Sequence, residues 1–474
     1  MSCLSFLSQF KPISRQYHNA VSLESACKIL QVPLNKTNTP NYVSYEQALS
    51  LVKSGDSLYT QAAANSPTPL WKALVKRIDS GNLKDLSMHH IITIGETPWL
   101  NEHYYDKIRT KSLFICGNAR PAIAQGKADY IPIFLSQMPQ YFSQMEKKFD
   151  ASLVSVSPPD EHGFVSMSLT VDCSHAALQN SKKVIGVVSK NLPRVFGDAI
   201  VHISHFDALV EDHSYEPFEL PATKYGPQDP ETIIGKLIAE NLVDDEATLQ
   251  FGIGGIPDSV CSFLTGHKNL GIHTELLCDG VYELIRDGVI NGTKKSFDNG
   301  LHVSSFVIGT KRLYNLMNNN PEFKLKCSSY TNNVEMVAKS NKMTCVNSCI
   351  EMDLTGQIVS DSIGYKFYSG FGGQVDFITG AGMSYDNKGK AIIAMTSRTP
   401  KGISKIVPVI TEGSGVVTNR GLTKYVVTEH GIANLFGKTI AQRAYELINI
   451  SHPDDREKLE KATFKRLKCM PSKD

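Results

Sequence analysis

One glutamate with a glycine-rich turn on each side of it in the chain is the group of residues best suited to chemistry. Glu275 follows the turn Gln250 to Pro257 and precedes the turn Tyr368 to Phe377. A carboxylate near the end of a buried strand can face a ligand, and the main-chain amides of glycine turns can bind an anion or a developing oxyanion. The three segments together favour acyl-group chemistry more specifically than any one of them alone.

The first turn has the features of an anion-binding loop. It follows an apolar strand predicted at 247–251 and precedes a helix through Leu264, and Pro257 suits a first helical turn. Glycine lets a ligand approach the backbone closely, and free amides at the start of a helix attract phosphate. Tight packing requires the same residues about as often, so the turn alone does not establish a ligand site.

The second turn supplies candidate oxyanion donors, which are the amides of Gly372 and Gly373. Backbone geometry is the alternative explanation for these glycines. Another acid, Glu429, follows a predicted strand at 425–428 and is an alternative nucleophile or a supporting acid. We expect His430, its neighbour, to be a turn or packing residue.

The elements that must position these residues are buried strands that alternate with helices. Short apolar runs rich in Val and Ile indicate such strands; they lie at 112–116, 153–156, 183–188, 247–251, 342–346, 391–394 and 425–428. The alternation implies βαβ units and parallel sheets, whose strands carry ligand sites beyond their carboxyl ends. We therefore predict an α/β fold made of two tandem open parallel-sheet domains.

Four prolines between Glu216 and Glu231 mark the predicted domain boundary, because proline interrupts both helices and central strands. We predict an N-terminal domain at 24–216, a linker at 217–231 and a C-terminal domain at 232–474. A basic helix that begins near Pro453 and ends around Arg466 is expected to close the second domain.

Composition excludes several classes of function. With 474 residues, 41% of them hydrophobic and 20% charged, the chain has the make-up of a folded protein of two or three domains. A formal charge of +2 gives no reason to expect nucleic acid or a membrane as a partner, and no apolar run is long enough to span a bilayer. The ten cysteines form no CxxC pair, so we expect reduced, mostly buried thiols and no metal site. A G-x-S-x-G motif and a correctly spaced phosphate loop are both absent, which argues against a serine hydrolase and against use of ATP.

The N terminus has the composition of a mitochondrial transit peptide, which we predict at 1–23. This segment contains Lys11, Arg15 and five serines, and the first acid is Glu24. The matrix is then the expected location. The alternative is a disordered N terminus on a cytoplasmic protein.

Seven segments resemble the acetyl-CoA hydrolase/transferase family, which includes acetate:succinate CoA-transferase and 4-hydroxybutyrate CoA-transferase. They are SPPDEHGFVSMSL, NLPRVFGDAIVHIS, GIGGIPDSV, HTELLCDGVYELI, EMDLTGQI, SGFGGQVDF and VTEHGIANLFG. The likeness keeps the same order along the chain and extends from about Gln61 to Lys458.

The resemblance implies two CoA-transferase-type α/β domains with the active site between them. It places the family's nucleophilic glutamate at Glu275. The contacts to CoA that it implies are Gln250, Phe251, Gly252, Ile253, Gly254, Ile350 and Gly373. Coenzyme A is then a substrate, no cofactor is tightly bound, and a homodimer is expected.

The reaction that the resemblance implies moves CoA between small carboxylic acids by a ping-pong route, through a thioester on Glu275. An isolated glutamate has a pKa of about 4.3, so we expect Glu275 to be ionised at pH 7 and to need no partner base. Two alternatives remain. In an acyl-CoA hydrolase, water intercepts the intermediate; a catalytically silent sensor only binds CoA. The acyl donor and the acceptor are left open.

Overall fold

The computed structural model describes residues 29–34, 40–221, 223 and 225–473. The predicted transit peptide at 1–23 lies outside these residues. Two large parallel sheets organise the rest, so the predicted α/β class is confirmed. We call the residues up to 221 the N-terminal part and the residues from 225 the C-terminal part.

Seven parallel strands form the sheet of the N-terminal part. They are β1 (Ser57–Thr60), β2 (Leu86–His90), β3 (Ile108–Ser112), β4 (Ala128–Tyr130), β5 (Phe149–Val156), β7 (Ser181–Val188) and β10 (Ala208–Glu211). Their spatial order is β10-β7-β5-β1-β2-β3-β4. In the interior strand β5 every residue except Asp150 is buried, because helices or chain segments cover both faces of such a sheet.

Six strands form the sheet of the C-terminal part. They are β11 (Thr248–Phe251), β12 (Gly271–Ile272), β17 (Thr344–Asn347), β22 (Lys390–Ala394), β24 (Tyr425–Thr428) and β25 (Gly431–Asn434). The order is β12-β11-β17-β22-β24-β25, and only the edge strand β25 is antiparallel to its neighbour.

Short strands make up five small sheets. They are β6 (Phe164–Ser166) with β9 (Ile200–His202); β13 (Leu276–Cys278) with β15 (Phe306–Ile308); β14 (His302–Ser304), β16 (Phe323–Leu325) and β8 (Phe196–Gly197); β18 (Glu351–Asp353), β19 (Ile358–Val359) and β23 (Ile406–Val407); and β20 (Ser362–Ile363) with β21 (Lys366–Phe367). The pairing of β16 with β8 joins the two parts of the chain.

Helices connect the strands. They are α1 (Tyr45–Leu49), α2 (Thr68–Asp79), α3 (Arg120–Ala124), α4 (Met138–Gln144), α5 (Ser174–Gln179), α6 (Pro230–Asn241), α7 (Gly255–Ser262), α8 (Tyr282–Arg286), α9 (Lys311–Met317), α10 (Ser328–Thr331), α11 (Val334–Lys339), α12 (Gln374–Gly382), α13 (Ile440–Asn449) and α14 (Pro453–Leu467). The predicted linker at 217–231 lies between β10 and the first turn of α6. Helix α14 confirms the expected C-terminal helix, with His452 accepting a hydrogen bond at its N-cap.

Two local predictions are wrong for physical reasons. The apolar run at 112–116 is not a strand, because β3 ends at Ser112 and the chain then leaves the sheet; Ile115 N donates to Ser369 O in the C-terminal part. The position of Asp279 just before helix α8 predicts a helix cap, but Asp279 does not cap that helix. Its carboxylate accepts hydrogen bonds from Thr310 N (2.8 Å) and Thr310 Oγ1 (2.7 Å), at the start of α9.

A shared apolar core holds the two parts together. One continuous cluster of buried side chains includes Val154 and Val188 from the N-terminal part and Leu249, Phe251 and Val346 from the C-terminal part. Burial of this size is the main source of stability in a folded protein. The two sheets therefore belong to one packed body.

Three further observations bear on function. Within the part of the chain that the structure describes, no helix is long and apolar enough to cross a membrane. The same residues contain no group of three or more His, Cys, Asp or Glu side chains arranged to hold a metal ion. All eight described cysteines are free thiols, and five of them are buried, as expected.

Candidate active site

The predicted site segments converge on one edge of the C-terminal sheet. Gly252, Glu275, Ile350 and Glu429 come after the carboxyl ends of β11, β12, β17 and β24. Ligands bind at such an edge in open α/β sheets. Hydrogen bonds also join neighbouring strand ends: Thr274 Oγ1 donates to Phe251 O (3.2 Å), and Asn347 Nδ2 donates to Gln250 Oε1 (3.0 Å).

The first glycine turn is open. A Cβ atom added at Gly252 or Gly254 would meet no heavy atom within 4 Å, so packing does not require these glycines. Gly254 has a φ of +115°, which favours glycine, and it immediately precedes α7. Ile253 is 49% exposed. The free space beside Gly252 is therefore available to a ligand.

The second glycine turn is closed over Glu275 and is held by the N-terminal part. A Cβ atom at Gly373 would overlap Glu275 Oε2 and Asn332 Nδ2. Leu135 N donates to Gly372 O (3.0 Å), and the rings of Phe134 and Phe371 lie 5.4 Å apart. Residues from both parts of the chain thus form the surroundings of the carboxylate.

Glu275 is bound through both its side chain and its main chain. Asn332 Nδ2 donates to Glu275 Oε2 (2.9 Å), and the amide of Gly373 also hydrogen bonds to the carboxylate. The carbonyl oxygen of Glu275 accepts from Ser305 N (2.9 Å) and Phe306 N (3.1 Å). These contacts fix the side chain while the residue keeps partial exposure to solvent.

The protonation of Glu275 differs from the expectation. Burial raises its pKa to about 7, and the charges of Asp376 and Asp172 act in the same direction. The hydrogen bonds from Asn332 and Gly373 oppose the rise. Full ionisation at pH 7 was expected from the value for a hydrated glutamate, and that expectation is wrong because the surrounding protein removes most of this carboxylate from water.

A second buried acid, Asp376, lies beside the nucleophile candidate. It belongs to the first turn of α12, and burial raises its pKa to about 6. Ser136 N (3.2 Å) and Ser136 Oγ (2.8 Å) donate to its carboxylate, and the carboxamide of Asn332 bonds to it as well. Asn332 therefore serves two carboxylates.

Glu429 is engaged elsewhere. Ser397 N (2.8 Å) and Ser397 Oγ (2.5 Å) donate to its two carboxylate oxygens. Ser397 lies on the segment after β22, and His430 Nε2 is 3.6 Å from Glu429 Oε1. The contacts are those of an acid that fixes a loop.

Sequence reasoning missed Asn332, Ser136 and Asp376 as site residues. Asn332 stands before Asn333, which caps α11, so the pair resembles ordinary helix-start chemistry. Asp376 lies inside the second glycine segment, where an acid in a first helical turn needs no other explanation. No local signal marks Ser136.

Models of one protein family match both parts of the chain. The model of the acetyl-CoA hydrolase/transferase N-terminal domain matches residues 34–234, and that of the C-terminal domain matches residues 309–463. Glu275 lies between the two matches.

Curated relatives align over most of the chain. A succinyl-CoA:acetate/propanoyl-CoA:succinate CoA transferase from Fasciola hepatica is 46% identical over 90% of this chain and 88% of its own. A 4-hydroxybutyrate coenzyme A transferase from Clostridium kluyveri is 42% identical over 90% of this chain and 97% of its own. A more distant relative, an acetyl-CoA hydrolase from Candida glabrata, is 25% identical over 90% of this chain and 88% of its own.

A solved structure has the same fold over nearly its whole length. The crystal structure of RipA from Yersinia pestis superposes with a TM-score of 0.82 at 33% identity, and the match covers 90% of this chain and 97% of that one. Similarity therefore extends from local motifs to the complete arrangement of both parts.

Proposed function

Because this chain belongs to the acetyl-CoA hydrolase/transferase family, we propose that it transfers CoA from a short-chain acyl-CoA, such as acetyl-CoA, to a carboxylate acceptor such as succinate. The expected CoA-transferase activity agrees with two CoA transferases that are 46% and 42% identical to this chain. The observation that carries the proposal is the enclosed carboxylate of Glu275 with two N–H donors on it.

In the first half-reaction, an oxygen of the Glu275 carboxylate attacks the thioester carbonyl of the acyl-CoA. The C–S bond breaks, CoA leaves as a thiolate, and Glu275 becomes part of a mixed anhydride. The thiolate then attacks the glutamyl carbonyl, which releases the first carboxylate and leaves CoA as a thioester on Glu275.

The second half-reaction reverses these steps with a new acid. The acceptor carboxylate attacks the glutamyl thioester, expels the CoA thiolate and forms the second anhydride. The thiolate attacks the acyl carbonyl of that anhydride, which releases the new acyl-CoA and restores the Glu275 carboxylate. The first product leaves before the second substrate binds, so ping-pong kinetics are expected.

Asn332 and Gly373 are the proposed donors to the charge that develops on the Glu275 carbonyl oxygen. Both already bond to the carboxylate, so no reorganisation is needed when the thiolate attacks. Each donor contributes about 3 kcal/mol if its geometry is retained in the transition state. The amide of Gly372, the other donor expected from the sequence, remains a candidate for the acyl oxygen.

The proposed CoA site is formed by Gln250 to Gly254 and Ile350, together with Gly373. Its support is the open space beside Gly252 and Gly254 at the start of α7, where main-chain amides favour a phosphate. Coenzyme A enters as a substrate, and the proposed mechanism uses no tightly bound cofactor.

A glutamyl intermediate is the decisive point to test. The protein is incubated with acetyl-CoA, quenched and digested, and the peptide that contains Glu275 is examined by mass spectrometry for an added CoA. Wild type is expected to carry it, Glu275→Ala is expected to lose both adduct and turnover, and Glu335→Ala, an exposed acid on α11, serves as the control. Near-normal turnover of Glu275→Ala would refute the proposal.

Hydrolysis is the second candidate, and the observation that favours it is the relative named acetyl-CoA hydrolase. Water would then replace the acceptor carboxylate, and exclusion of water from the closed site decides between the two outcomes. Release of free CoA from acetyl-CoA is measured with and without succinate. A transferase passes CoA to succinate and frees none, so steady release of free CoA at the same rate in both reactions, without formation of succinyl-CoA, would favour the hydrolase.

We also propose a mitochondrial matrix location and a homodimer. The location is supported by the basic, serine-containing, acid-free segment 1–23 and is tested by fusing that segment to a fluorescent protein. The dimer is the assembly implied by the family resemblance. Sedimentation velocity of the purified protein measures it directly.

A further inference from the structure

Asn332 has a binding partner for every polar atom of its buried carboxamide. The residue is fully buried, and its Nδ2 faces two acceptors, Glu275 Oε2 at 2.9 Å and the carboxylate of Asp376. Its Oδ1 accepts a hydrogen bond from Thr331 Oγ1 at 2.9 Å. Among the contacts that the structure describes, the hydroxyl of Thr331 is thus the only donor to Asn332 Oδ1.

Thr331 is itself fixed from two directions. Its hydroxyl lies 2.5 Å from Ser305 Oγ, and its carbonyl oxygen accepts a hydrogen bond from His273 Nε2 at 2.9 Å. Ser305 N in turn donates to Glu275 O, and His273 stands close before Glu275 in the chain. The segments that contain His273 and Ser305 therefore contact Thr331 as well as positioning Glu275.

The direction of these bonds determines the orientation of the amide. A hydroxyl has one proton, so Thr331, when it donates to Asn332 Oδ1, accepts the proton of Ser305. The two protons on Asn332 Nδ2 then point at the two carboxylates. A rotated amide would place Oδ1 against Glu275 and Asp376, where the carboxylates offer it no proton when they are ionised, and would leave buried polar atoms without partners.

We propose that Thr331, supported by Ser305, is a positioning residue that holds the Asn332 carboxamide with its NH2 group toward Glu275, ready for the charge that develops there. The proposal rests on the proposed role of Glu275 as the nucleophile. It assigns to Thr331 an effect on the rate of the chemical steps that acts through Asn332, without contact between Thr331 and either substrate.

The test compares two substitutions of the same residue with a matched control. Thr331→Val removes the hydroxyl with little change of shape, and Thr331→Ser keeps it. Thr463→Val is the control. Thr463 is also buried, and its hydroxyl donates to the carbonyl oxygen of Leu459 within helix α14, outside the candidate site. Turnover of acetyl-CoA with succinate is measured for each variant.

We expect Thr331→Val to lower kcat by about 10- to 100-fold and to change KM for acetyl-CoA by less than about threefold. Thr331→Ser should stay within about threefold of wild type, as should Thr463→Val. A loss of folding would also lower apparent kcat at unchanged KM, so kcat is calculated per folded enzyme, with the folded fraction of each variant measured by near-UV circular dichroism.

A pH profile adds a readout that a purely structural role does not move. The bond from Asn332 favours the ionised form of Glu275, so Thr331→Val should shift the acid limb of kcat/KM to higher pH, while Thr331→Ser should not. Two charged groups, Asp376 and Asp172, also act on the pKa of Glu275, and neither is replaced in these variants.

The outcomes are distinguishable. If Thr331→Val matches Thr463→Val in kcat and in its acid limb while Glu275→Ala is inactive, the positioning role is overturned and the proposed function stands. If Glu275→Ala remains active, the proposed function itself fails. Should the valine variant not fold, Thr331→Ala, which adds no bulk, is judged by the same two criteria.

Discussion

Ser136 of the N-terminal part donates two hydrogen bonds, from its amide and its hydroxyl, to the Asp376 carboxylate of the C-terminal part. Asp376 is 4% exposed and carries a charge that raises the pKa of Glu275. The contact between the two parts of the chain therefore sets an electrostatic property of the candidate nucleophile. A carboxylate with a raised pKa is a stronger nucleophile once it is ionised.

Replacement of Asp376 tests this coupling. Asp376→Asn removes the charge beside Glu275, so we expect the acid limb of kcat/KM to move to lower pH. The measurement is a pH profile of acetyl-CoA turnover. Asp106→Asn, at an exposed ion pair with Lys127, is the control. An unchanged acid limb in Asp376→Asn would contradict the assignment.

The wild-type pH dependence follows from the state of Glu275. Only the ionised carboxylate attacks a thioester, and its pKa is raised to about 7. We therefore expect kcat/KM for acetyl-CoA to fall about tenfold per pH unit well below that value and to level off above it. Asp376, which has a pKa of about 6, titrates nearby. The acid limb of the profile therefore reports the coupled titration of Glu275 and Asp376. A profile that is flat from pH 5 to 8 would disagree.

The same raised pKa has a thermodynamic cost. Glu275 binds its proton more tightly in the folded state than a glutamate with the ordinary value of 4.5, so its contribution to stability declines as pH rises from about 4.5 to about 7. Glu275→Gln carries no charge and avoids that decline. We expect the variant to gain up to about 3 kcal/mol of unfolding free energy over wild type at pH 8, and far less near pH 5. Urea denaturation at both pH values measures the difference, and an equal difference at both would be inconsistent with it.

Gly373 is predicted to tolerate no side chain. Gly373→Ala would force a methyl group into the carboxylate of Glu275 and the amide of Asn332, so turnover should fall by about 100-fold or more. Gly266→Ala is the matched control, because a Cβ there meets no atom within 4 Å. The measurement is the steady-state turnover rate of each variant. Similar rates in the two variants would mean that the second glycine turn moves freely away from Glu275.

Glu429 is expected to matter for stability more than for chemistry. Glu429→Gln keeps one acceptor for Ser397 and loses the other, so we expect a loss of about 1–2 kcal/mol in unfolding free energy. Turnover should remain within about threefold of wild type. Absence of both turnover and the glutamyl adduct in this variant would return Glu429 to consideration as the nucleophile.

The strands were predictable where local pattern and burial agree. The runs at 153–156, 183–188 and 247–251 lie in or on strands that are buried along nearly their whole length, so their apolar residues report the fold directly. The run at 112–116 is equally apolar, but it continues past the end of β3: Leu113 and Ile115 are buried in two separate apolar clusters, and Ile115 N donates to Ser369 O, far away in sequence. Sequence pattern records that a segment is buried and does not record what buries it. The domain boundaries at 216 and 231 remain predictions.

The candidate site divides in the same way. Glu275 and the glycine turns were found because each lies beside a strand end or within a recognisable motif. Asn332 and Ser136 act across long stretches of chain, on Glu275 and on Asp376, and nothing in their own neighbourhoods distinguishes them from a helix-start asparagine and a surface serine. The raised pKa of Glu275 also required the structure, because it depends on how completely the folded chain removes that side chain from water.

The apolar cluster that contains Val154, Val188, Leu249 and Val346 has a consequence for any attempt to dissect the molecule. If the gene were divided within the segment 217–231, each of the two encoded fragments would expose a large apolar surface that the other fragment normally covers. Neither fragment could present Glu275 in its working surroundings, since Leu135 and Ser136 would be on one piece and the second glycine turn on the other. Division of the chain at the proline-rich segment is therefore not expected to give two independently stable domains.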